Sequence, residues 1–406
     1  MKNKILLQIG SAGILVIIGS LASFASNILL GRTLSQEDFG VFSLFRSVMF
    51  LLPVLAFLGY GNAMIRFAKE NDFSTTNWKP SLQKINILGA GIMFIAAIVV
   101  QRIYPFSFVQ SIFLGIAAWM FARVMNTNSI LRINGKMVLG QFTILVWRYV
   151  FFITLLVTLT WYEISIEKVL ILFFLSFALM FVVAKIIEHR ISVGSKIVSL
   201  KEIYRYGSTF FIINIFSILM IQLDKLIISL NQGSVAVGIY VGVSLIALTV
   251  FNLAGTTIGY VLMPHFANGN KIILREFLIY FLLIPLTLLT VSLFWLEAIN
   301  TFIFDYKYSG NTHLLYLSVG IGIMQYYHNI IEFSLGGLSA ESTLKTYLWS
   351  ILISIILLIF CSVYFAESYN LNGIVFGCLI AWIVKNIIGM ILLGNIFHQR
   401  KIIIFS

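Results

Sequence analysis

The chain has 406 residues, of which 60% are hydrophobic and only 10% are charged, and its net charge is +12 at pH 7. Because a soluble domain carries about 25% charged residues, this composition excludes an ordinary soluble protein and predicts an integral membrane protein. A basic chain can bind nucleic acid, but these basic residues lie between apolar segments and not on a soluble face. Nucleic acid is therefore excluded as a partner.

Twelve apolar segments are long enough to cross a bilayer, since a transmembrane helix needs about 20 residues. In chain order they are 5–30, 39–62, 85–103, 106–126, 138–160, 167–187, 207–230, 238–263, 274–296, 312–333, 346–365 and 372–396. The first follows Met-Lys-Asn-Lys directly and is too long for the apolar part of a cleavable signal peptide. The basic connector at 188–200 completes an N-terminal six-helix lobe, 1–200, and the C-terminal six-helix lobe is 201–406.

The basic residues also predict the orientation of the chain. Nineteen of the 27 lysines and arginines fall on the same side of the membrane as the N-terminus, four fall on the other side and four lie within spans, at least five residues from either end. By the positive-inside rule, both termini are predicted to face the cytoplasm. The connectors are too short for a soluble domain, and the chain has no G-x-x-x-x-G-K-[ST] phosphate loop, which excludes an ATPase.

Two stretches in corresponding parts of the lobes are similar to each other. They are ILLGRTLSQEDFGVFSLFRSVMFL (28–51) and IISLNQGSVAVGIYVGVSLIAL (227–248), in which Gly40 and Gly238 lie 198 residues apart. Six spans in each half give both halves the same orientation, which predicts parallel repeats with a transport site between them. A chance likeness between two amphipathic turns is the alternative.

The same stretches carry a resemblance to a known family. LLGRTLSQEDFGVFSLFRSV (29–48) and QLDKLIISLNQGSVAVGIYVGVSLI (222–246) resemble the first-loop motif and the seventh-to-eighth-span motif of Wzx-type O-antigen flippases. These flippases belong to the multidrug/oligosaccharidyl-lipid/polysaccharide (MOP) exporter superfamily. The resemblance implies an all-α integral membrane fold of about twelve transmembrane helices, in two six-helix lobes around a central cavity.

The resemblance also implies a function without chemistry or cofactors. The chain would move an undecaprenyl-diphosphate-linked oligosaccharide repeat unit from the cytoplasmic to the outer leaflet of a bacterial inner membrane by alternating access. This step serves the synthesis of O-antigen, the polysaccharide of lipopolysaccharide, or of a related surface glycan. Further candidate partners are membrane lipids, H⁺ or Na⁺ as a coupling ion, a polysaccharide polymerase and a chain-length regulator.

Four cations lie inside predicted spans, where a charge at the bilayer centre costs about 2.5–3.5 kcal/mol even on lenient scales. Arg46, Arg148, Lys225 and Lys385 are therefore candidate substrate-binding residues, together with Asp224 beside Lys225. A cavity that contains these cations would favour a diphosphate or an acidic sugar. Two alternatives stay open: the long side chains extend to the membrane surface, or Asp224 and Lys225 form a local structural pair.

The stretch MQYYHNIIEFS (324–334) carries a second polar group within a span. His328 and Glu332 are four residues apart and share one helical face, so we expect them to be candidates for proton coupling. The alternative is that Glu332 is solvated at the cytoplasmic end of its helix. Three Gly-x-x-x-Gly motifs allow helices to approach closely: Gly238/Gly242, Gly255/Gly259 and Gly373/Gly377.

The spacing of residues favours no enzyme and no metal site. The histidines show no metal-ligand spacing, and no set of catalytic residues can be argued, so an enzyme is not expected. An ion-coupled drug antiporter of the same superfamily is the first alternative, but it would need acidic residues in the N-terminal spans, which carry Arg46 and Arg148 and, apart from Glu167 at the first residue of the sixth span, no carboxylate. A membrane-embedded polysaccharide polymerase or acyltransferase is the second alternative, and the short outside loops argue against it.

Overall fold

The computed structural model describes residues 2–57, 59–71, 73–191, 194–204, 208–267, 272–338, 341–400 and 402–404. Helices form most of this part of the chain. The α-helices are α1 (Lys2–Thr33), α2 (Gln36–Phe57), α3 (Tyr60–Glu70), α4 (Lys79–Ile103), α5 (Phe108–Ile133), α6 (Met137–Trp161), α7 (Ile166–His189), α8 (Leu200–Tyr204), α9 (Ser208–Ala267), α10 (Leu274–Leu278), α11 (Ile284–Ile303), α12 (Thr312–Leu338) and α13 (Glu341–Arg400). A π-helix, Ile279–Leu283, joins α10 to α11, and a 3-10 helix spans Phe73–Thr75.

The two longest helices, α9 and α13, are each broken in the middle. Gly233 has φ 79° and ψ −176°, and Asn370 has φ 51° and ψ −131°, both outside the helical region. Positive φ suits glycine, which has no Cβ, and Asn tolerates it better than most residues. Each of these helices therefore consists of two arms, 208–232 and 234–267 in α9, and 341–369 and 371–400 in α13.

The twelve predicted spans all coincide with helices of the described residues. Nine helical segments there are long and apolar enough to cross a membrane, and two of these, Ile215–Gly259 and Lys345–Gln399, each contain one of the breaks. The remaining predicted span is α12, whose polar residues lower its hydropathy. The prediction of an all-α membrane protein with about twelve transmembrane helices is confirmed.

The helices extend beyond the spans that hydropathy predicts, and α5 shows why. The predicted span ends at residue 126, whereas the helix continues to Ile133. Asn126 and Thr127 are polar, yet they are 3% and 1% exposed. A helix continues through polar residues when the protein interior surrounds them and offers hydrogen-bond partners, as Glu188 does for the Thr127 hydroxyl, and hydropathy does not detect this.

The chain divides into two compact units, Met1–Gln222 (unit 1) and Leu223–Ser406 (unit 2). In unit 1, aromatic side chains of α2, α6 and α7 form a cluster around Phe173. Its ring lies edge-to-face with Phe42, Trp147 and Phe177, at centroid distances of 5.4, 5.6 and 5.0 Å. Such aromatic contacts each add about 0.5–1.5 kcal/mol beyond the burial of their area, so they hold α2 and α6 in a defined register.

In unit 2, the second arm of α9 packs closely on α12. A Cβ at Gly255 would lie 2.7 Å from the carbonyl oxygen of Tyr326, and a Cβ at Gly259 would clash with the ring of Phe333. A side chain at either glycine would force the helices apart. The close approach predicted from the Gly255/Gly259 motif is therefore confirmed.

Both units contain the same short parallel strand pair at the same point in their topology. In unit 1, β1 (Thr76–Asn77), after the second span, pairs with β2 (Lys196–Ile197), after the sixth. In unit 2, β3 (Ile272–Ile273), after the eighth span, pairs with β4 (Ile403–Ile404), after the twelfth. The recurrence of this pairing supports an internal repeat over a chance likeness between two turns.

Candidate functional site

Arg46 lies in the middle of α2, ten residues from its first residue, Gln36. At 1.5 Å per residue this is about 15 Å from the helix end, or half the thickness of a typical hydrocarbon core. The side chain is partly buried, and its Nη1 donates to Asn27 Oδ1 of α1 at 2.5 Å. The guanidinium also lies 5.8 Å from the ring centre of Phe50. Arg46 is therefore held inside unit 1 at mid-span, and extension to the membrane surface is not its conformation.

Arg148 lies at the corresponding depth of α6, eleven residues from Met137. Its Nη1 donates to Ser20 Oγ of α1 at 3.1 Å, and its guanidinium lies 5.5 Å from the ring centre of Trp147. Arg148 is close enough to Arg46 to act on it electrostatically. We call these two residues the arginine pair.

One face of α1 supplies hydrogen-bond partners to both arginines. Ser20 and Asn27 are seven residues apart, about two helical turns, and therefore lie on the same side of the helix. Both of these partners are neutral. The sequences of α1 and α6 contain no Asp or Glu, and α2 contains only Glu37 and Asp38 in its first turn.

The arginine pair therefore concentrates positive charge in a region of low dielectric constant. Two like charges repel each other there more strongly than in water, and a bound anion would relieve this repulsion. Guanidinium groups also bind phosphate oxygens through two parallel hydrogen bonds. The geometry suits a phosphate or diphosphate ligand.

Asp224 and Lys225 form a local pair in the first arm of α9, eight and seven residues before its last residue, 232. Asp224 Oδ1 accepts from Lys225 Nζ at 3.0 Å and from the Lys225 backbone N–H at 2.8 Å. Asp224 Oδ2 accepts from Tyr240 Oη of the second arm at 2.6 Å. The carboxylate therefore compensates the lysine and ties the two arms together, which favours the structural interpretation. A substrate-binding role for Asp224 and Lys225 stays a prediction.

Lys385, from α13, lies with both candidate coupling residues of α12. Lys385 Nζ is 2.6 Å from His328 Nδ1, and His328 Nε2 is 3.1 Å from Glu332 Oε2. Tyr347 Oη lies 3.3 Å from His328 Nδ1, and the ring centre of Trp382 lies 4.8 Å from Lys385 Nζ. We call these five residues the lysine–histidine cluster.

The lysine–histidine cluster can pass a proton along a chain of hydrogen bonds. Lys385 and His328 are 1% and 2% exposed. A neutral imidazole that accepts from the lysine at Nδ1 can donate from Nε2 to the carboxylate of Glu332. The sequence placed Lys385 among the anion-binding cations, whereas the structure joins it to His328 and Glu332, 57 and 53 residues earlier in the chain.

A buried ion pair that the sequence did not predict joins α5 to α7. Arg123 Nη2 lies 2.6 and 2.5 Å from the two carboxylate oxygens of Glu188, and Thr127 Oγ1 donates to Glu188 Oε2 at 3.0 Å. Positive-inside counting assigned Arg123 to a cytoplasmic segment, but it is only 2% exposed. Its position in an unbroken helix, without Pro, was the available signal. Its partner, 65 residues away, could not be identified from sequence.

Solved structures with this arrangement of helices define the class of the fold. The lipid II flippase MurJ in an inward closed conformation is 15% identical, with a TM-score of 0.68 over 97% of this chain and 88% of that chain. A mutant of the Vibrio cholerae MATE transporter VcmN is 13% identical, with a TM-score of 0.61 over 98% of both chains. An inward-facing multidrug resistance MATE family transporter of the MOP superfamily is 14% identical, with a TM-score of 0.62 over 94% and 96%. The fold is that of MOP transporters.

Residues 29–276 match the family described as polysaccharide biosynthesis protein. The match covers more than half of the chain, so the chain belongs to the polysaccharide biosynthesis protein family. The predicted membership of the MOP superfamily is confirmed, and the resemblance to Wzx-type flippases is consistent with both findings. No curated protein sequence matches the chain significantly.

Proposed function

We propose that this chain is a flippase for an undecaprenyl-diphosphate-linked oligosaccharide repeat unit and that it carries out no covalent chemistry. It moves the head group from the cytoplasmic to the outer leaflet of a bacterial inner membrane by alternating access, with both termini in the cytoplasm. The product serves O-antigen or a related surface polysaccharide. A polymerase and a chain-length regulator would act on the glycan afterwards.

The arginine pair is the observation that carries this proposal. The diphosphate is the most costly part of the cargo to bring into hydrocarbon, because an isolated buried charge loses its hydration. Two guanidinium groups at mid-span, held by the neutral side chains of Asn27 and Ser20, replace part of that hydration. Family membership independently connects the chain to polysaccharide synthesis.

The similar solved structures include multidrug transporters, which makes a drug antiporter the second candidate function. A cationic drug would meet the arginine pair, which repels it. The helices that carry Arg46, Arg148 and their two partners supply no carboxylate at that depth. The charge of this region therefore favours an anionic cargo.

Deletion of the gene in its host tests the function. We expect the lipid-linked repeat unit to accumulate on the cytoplasmic leaflet, where an added glycosidase or lectin outside the membrane cannot reach it. Complementation with the intact chain should restore outer-leaflet exposure and surface glycan. Accumulation on the outer leaflet would assign the chain to a later step and contradict a flippase.

We also propose that the lysine–histidine cluster couples transport to protons. His328 and Glu332 exchange a proton between themselves and Lys385 as unit 2 changes conformation. Collapse of the proton gradient in vesicles should slow transport by the intact chain. Unchanged transport without a gradient would remove this coupling role, while Na⁺ dependence would assign coupling to another ion.

A further inference from the structure

Two asparagines and a threonine form a second polar group in unit 2, apart from the charged residues. Asn329 Nδ2 of α12 donates to Asn252 Oδ1 of α9 at 3.1 Å, and Thr256 Oγ1 donates to the same oxygen at 3.0 Å. The close contact of Gly255 with the backbone of Tyr326 brings the two helices near enough for these bonds. We call Asn252, Thr256 and Asn329 the amide cluster.

The amide cluster keeps both donors and acceptors for a ligand. Asn252 Oδ1 is used twice, but in the part of the chain that the structure describes no bond involves Asn252 Nδ2 or Asn329 Oδ1. A carboxamide offers two N–H donors and one oxygen acceptor. A donor on Asn252 and an acceptor on Asn329, two side chains that are bonded to each other, therefore remain available.

The position of the cluster shows that it does not face hydrocarbon. All three residues are partly exposed, and Asn252 lies near the middle of the arm 234–267. A polar group in contact with lipid tails would lose its hydrogen bonds to water, at a cost of several kcal/mol. This side of unit 2 must therefore contact water or a polar cargo.

The chemistry of the cluster excludes two kinds of ligand. It carries no formal charge, so it has little to attract a diphosphate. A cation such as Na⁺ needs several oxygen ligands, and of the two amide oxygens of the cluster only Asn329 Oδ1 is unused, because Asn252 Oδ1 already accepts two hydrogen bonds. A neutral ligand with its own adjacent donors and acceptors remains.

We infer that the amide cluster is a saccharide subsite, in which Asn252 Nδ2 donates to a sugar oxygen and Asn329 Oδ1 accepts from a hydroxyl or acetamido N–H. This inference rests on the proposed flippase function and adds to it a place where unit 2 distinguishes a glycosylated from a bare lipid diphosphate. Two neutral hydrogen bonds of modest strength should increase the affinity about tenfold.

Binding to the purified chain in nanodiscs tests the subsite. The probes are undecaprenyl diphosphate and the same lipid carrying a hexose, a 6-deoxyhexose or an N-acetylhexosamine. For the intact chain, at least one sugar should increase the affinity about tenfold over the bare lipid. Asn252→Ala and Asn329→Ala should remove this increase and leave the affinity for bare undecaprenyl diphosphate unchanged, which also shows that each variant is folded.

Two further variants separate ligand binding from helix packing. Asn252→Asp keeps an oxygen for Thr256 and Asn329 but loses the N–H donors, so the sugar-dependent increase should also disappear. Thr257→Val is the matched control, because the Thr257 hydroxyl bonds only to the Leu253 carbonyl of its own helix among the described residues, and this variant should keep the increase.

The outcomes distinguish the subsite from the function. If no sugar improves binding, or if the improvement persists in Asn252→Ala and Asn252→Asp, the saccharide subsite is wrong while binding of the bare lipid still supports the flippase. If neither the bare nor any glycosylated lipid binds the intact chain, both proposals are overturned.

Discussion

The arginine pair of unit 1 and the lysine–histidine cluster of unit 2 both place cations inside membrane spans, but they are built differently. Arg46 and Arg148 are bonded to a neutral amide and a neutral hydroxyl. Lys385 lies instead against an imidazole that is bonded to a carboxylate. Arginine does not lose its proton in proteins, whereas lysine, histidine and glutamate all can. One region is suited to holding an anion, and the other to exchanging a proton.

The internal repeat sharpens this contrast, because equivalent positions carry different charges. With the offset of 198 residues, Lys225 corresponds to Asn27 and Ser244 corresponds to Arg46. In unit 1 the cation, Arg46, lies on α2, and it is bonded to the neutral Asn27 of α1. In unit 2 the cation, Lys225, lies on the first arm of α9, which corresponds to α1, and Asp224 beside it compensates its charge. Over the part of the chain that the structure describes, the two copies of this helix pair thus differ in whether a carboxylate accompanies the cation.

A third charged region, the Arg123–Glu188 pair, provides the largest expected effect. Arg123→Ala leaves a buried carboxylate without its main partner, which we expect to reduce the free energy of unfolding by about 3–5 kcal/mol. Thermal unfolding of the purified protein measures this loss. Lys185→Ala is the control, since Lys185 Nζ lies 3.9 Å from Glu188 and its side chain is 47% exposed. It should cost at most about 1 kcal/mol.

If the pair is structural, replacing both partners with apolar residues of similar volume should be tolerated. Arg123→Met combined with Glu188→Leu should recover most of the stability that Arg123→Ala loses. Transport per folded molecule should stay near that of the intact chain. A stable double variant without transport would show that this ion pair takes part in transport.

The arginine pair should show the opposite behaviour, with loss of transport and little loss of stability. Arg46→Ala and Arg148→Ala each remove the charge-assisted hydrogen bonds that we propose to the cargo, worth about 1.5–3 kcal/mol. We expect transport of the diphosphate-linked glycan to fall about 10- to 100-fold in each variant. Arg32→Ala, an exposed arginine at the end of α1, is the control and should transport normally.

For the lysine–histidine cluster, we expect a substitution to change the dependence of transport on the proton gradient more than the rate of transport without a gradient. Glu332→Gln keeps the size of the side chain but removes the group that exchanges the proton. Transport should then lose its dependence on the proton gradient and proceed at the rate that the intact chain shows without a gradient. Glu297→Gln is the matched control in the same unit, because Glu297 bonds the exposed Thr312 hydroxyl. A gradient response that survives in Glu332→Gln contradicts the coupling role.

The smallest expected effect on transport concerns the compensated pair of unit 2. Tyr240→Phe removes one hydrogen bond to the Asp224 carboxylate and keeps the bond to Lys225, so stability should fall by about 1.5–3 kcal/mol. Transport per folded molecule should not change if Asp224 and Lys225 are structural. A large loss of transport at normal stability would show instead that this pair takes part in substrate binding.

Hydropathy predicted the spans because a helix that crosses hydrocarbon bonds its own backbone polar groups and presents mainly apolar side chains to the lipid. It failed where burial came from the protein itself, as at Thr127 of α5, which lies beyond the predicted end of its span and is buried. The cations Arg46 and Arg148 were predictable because mid-span charges are costly and therefore informative. Their partners on α1 were not, because 19 and 128 residues of chain separate them.

The same limit applies to the two polar groups of unit 2. His328 and Glu332 could be paired from their spacing on one helix, but Lys385 joins them only through the packing of α13 on α12. Asn329 lies next to His328 in sequence and yet contacts Asn252 on α9. Contacts within one helix follow from its periodicity, and contacts between helices require the fold.

The most direct test of the central claim is transport in proteoliposomes that contain only this protein. Undecaprenyl-diphosphate-linked oligosaccharide is placed in one leaflet, and its appearance in the other is measured for the intact chain and for the double variant Arg46→Gln, Arg148→Gln. We predict rapid transfer by the intact chain and near-background transfer by a double variant that unfolds at the normal temperature. Equal transfer by both would contradict the claim that the arginine pair carries the diphosphate across the membrane.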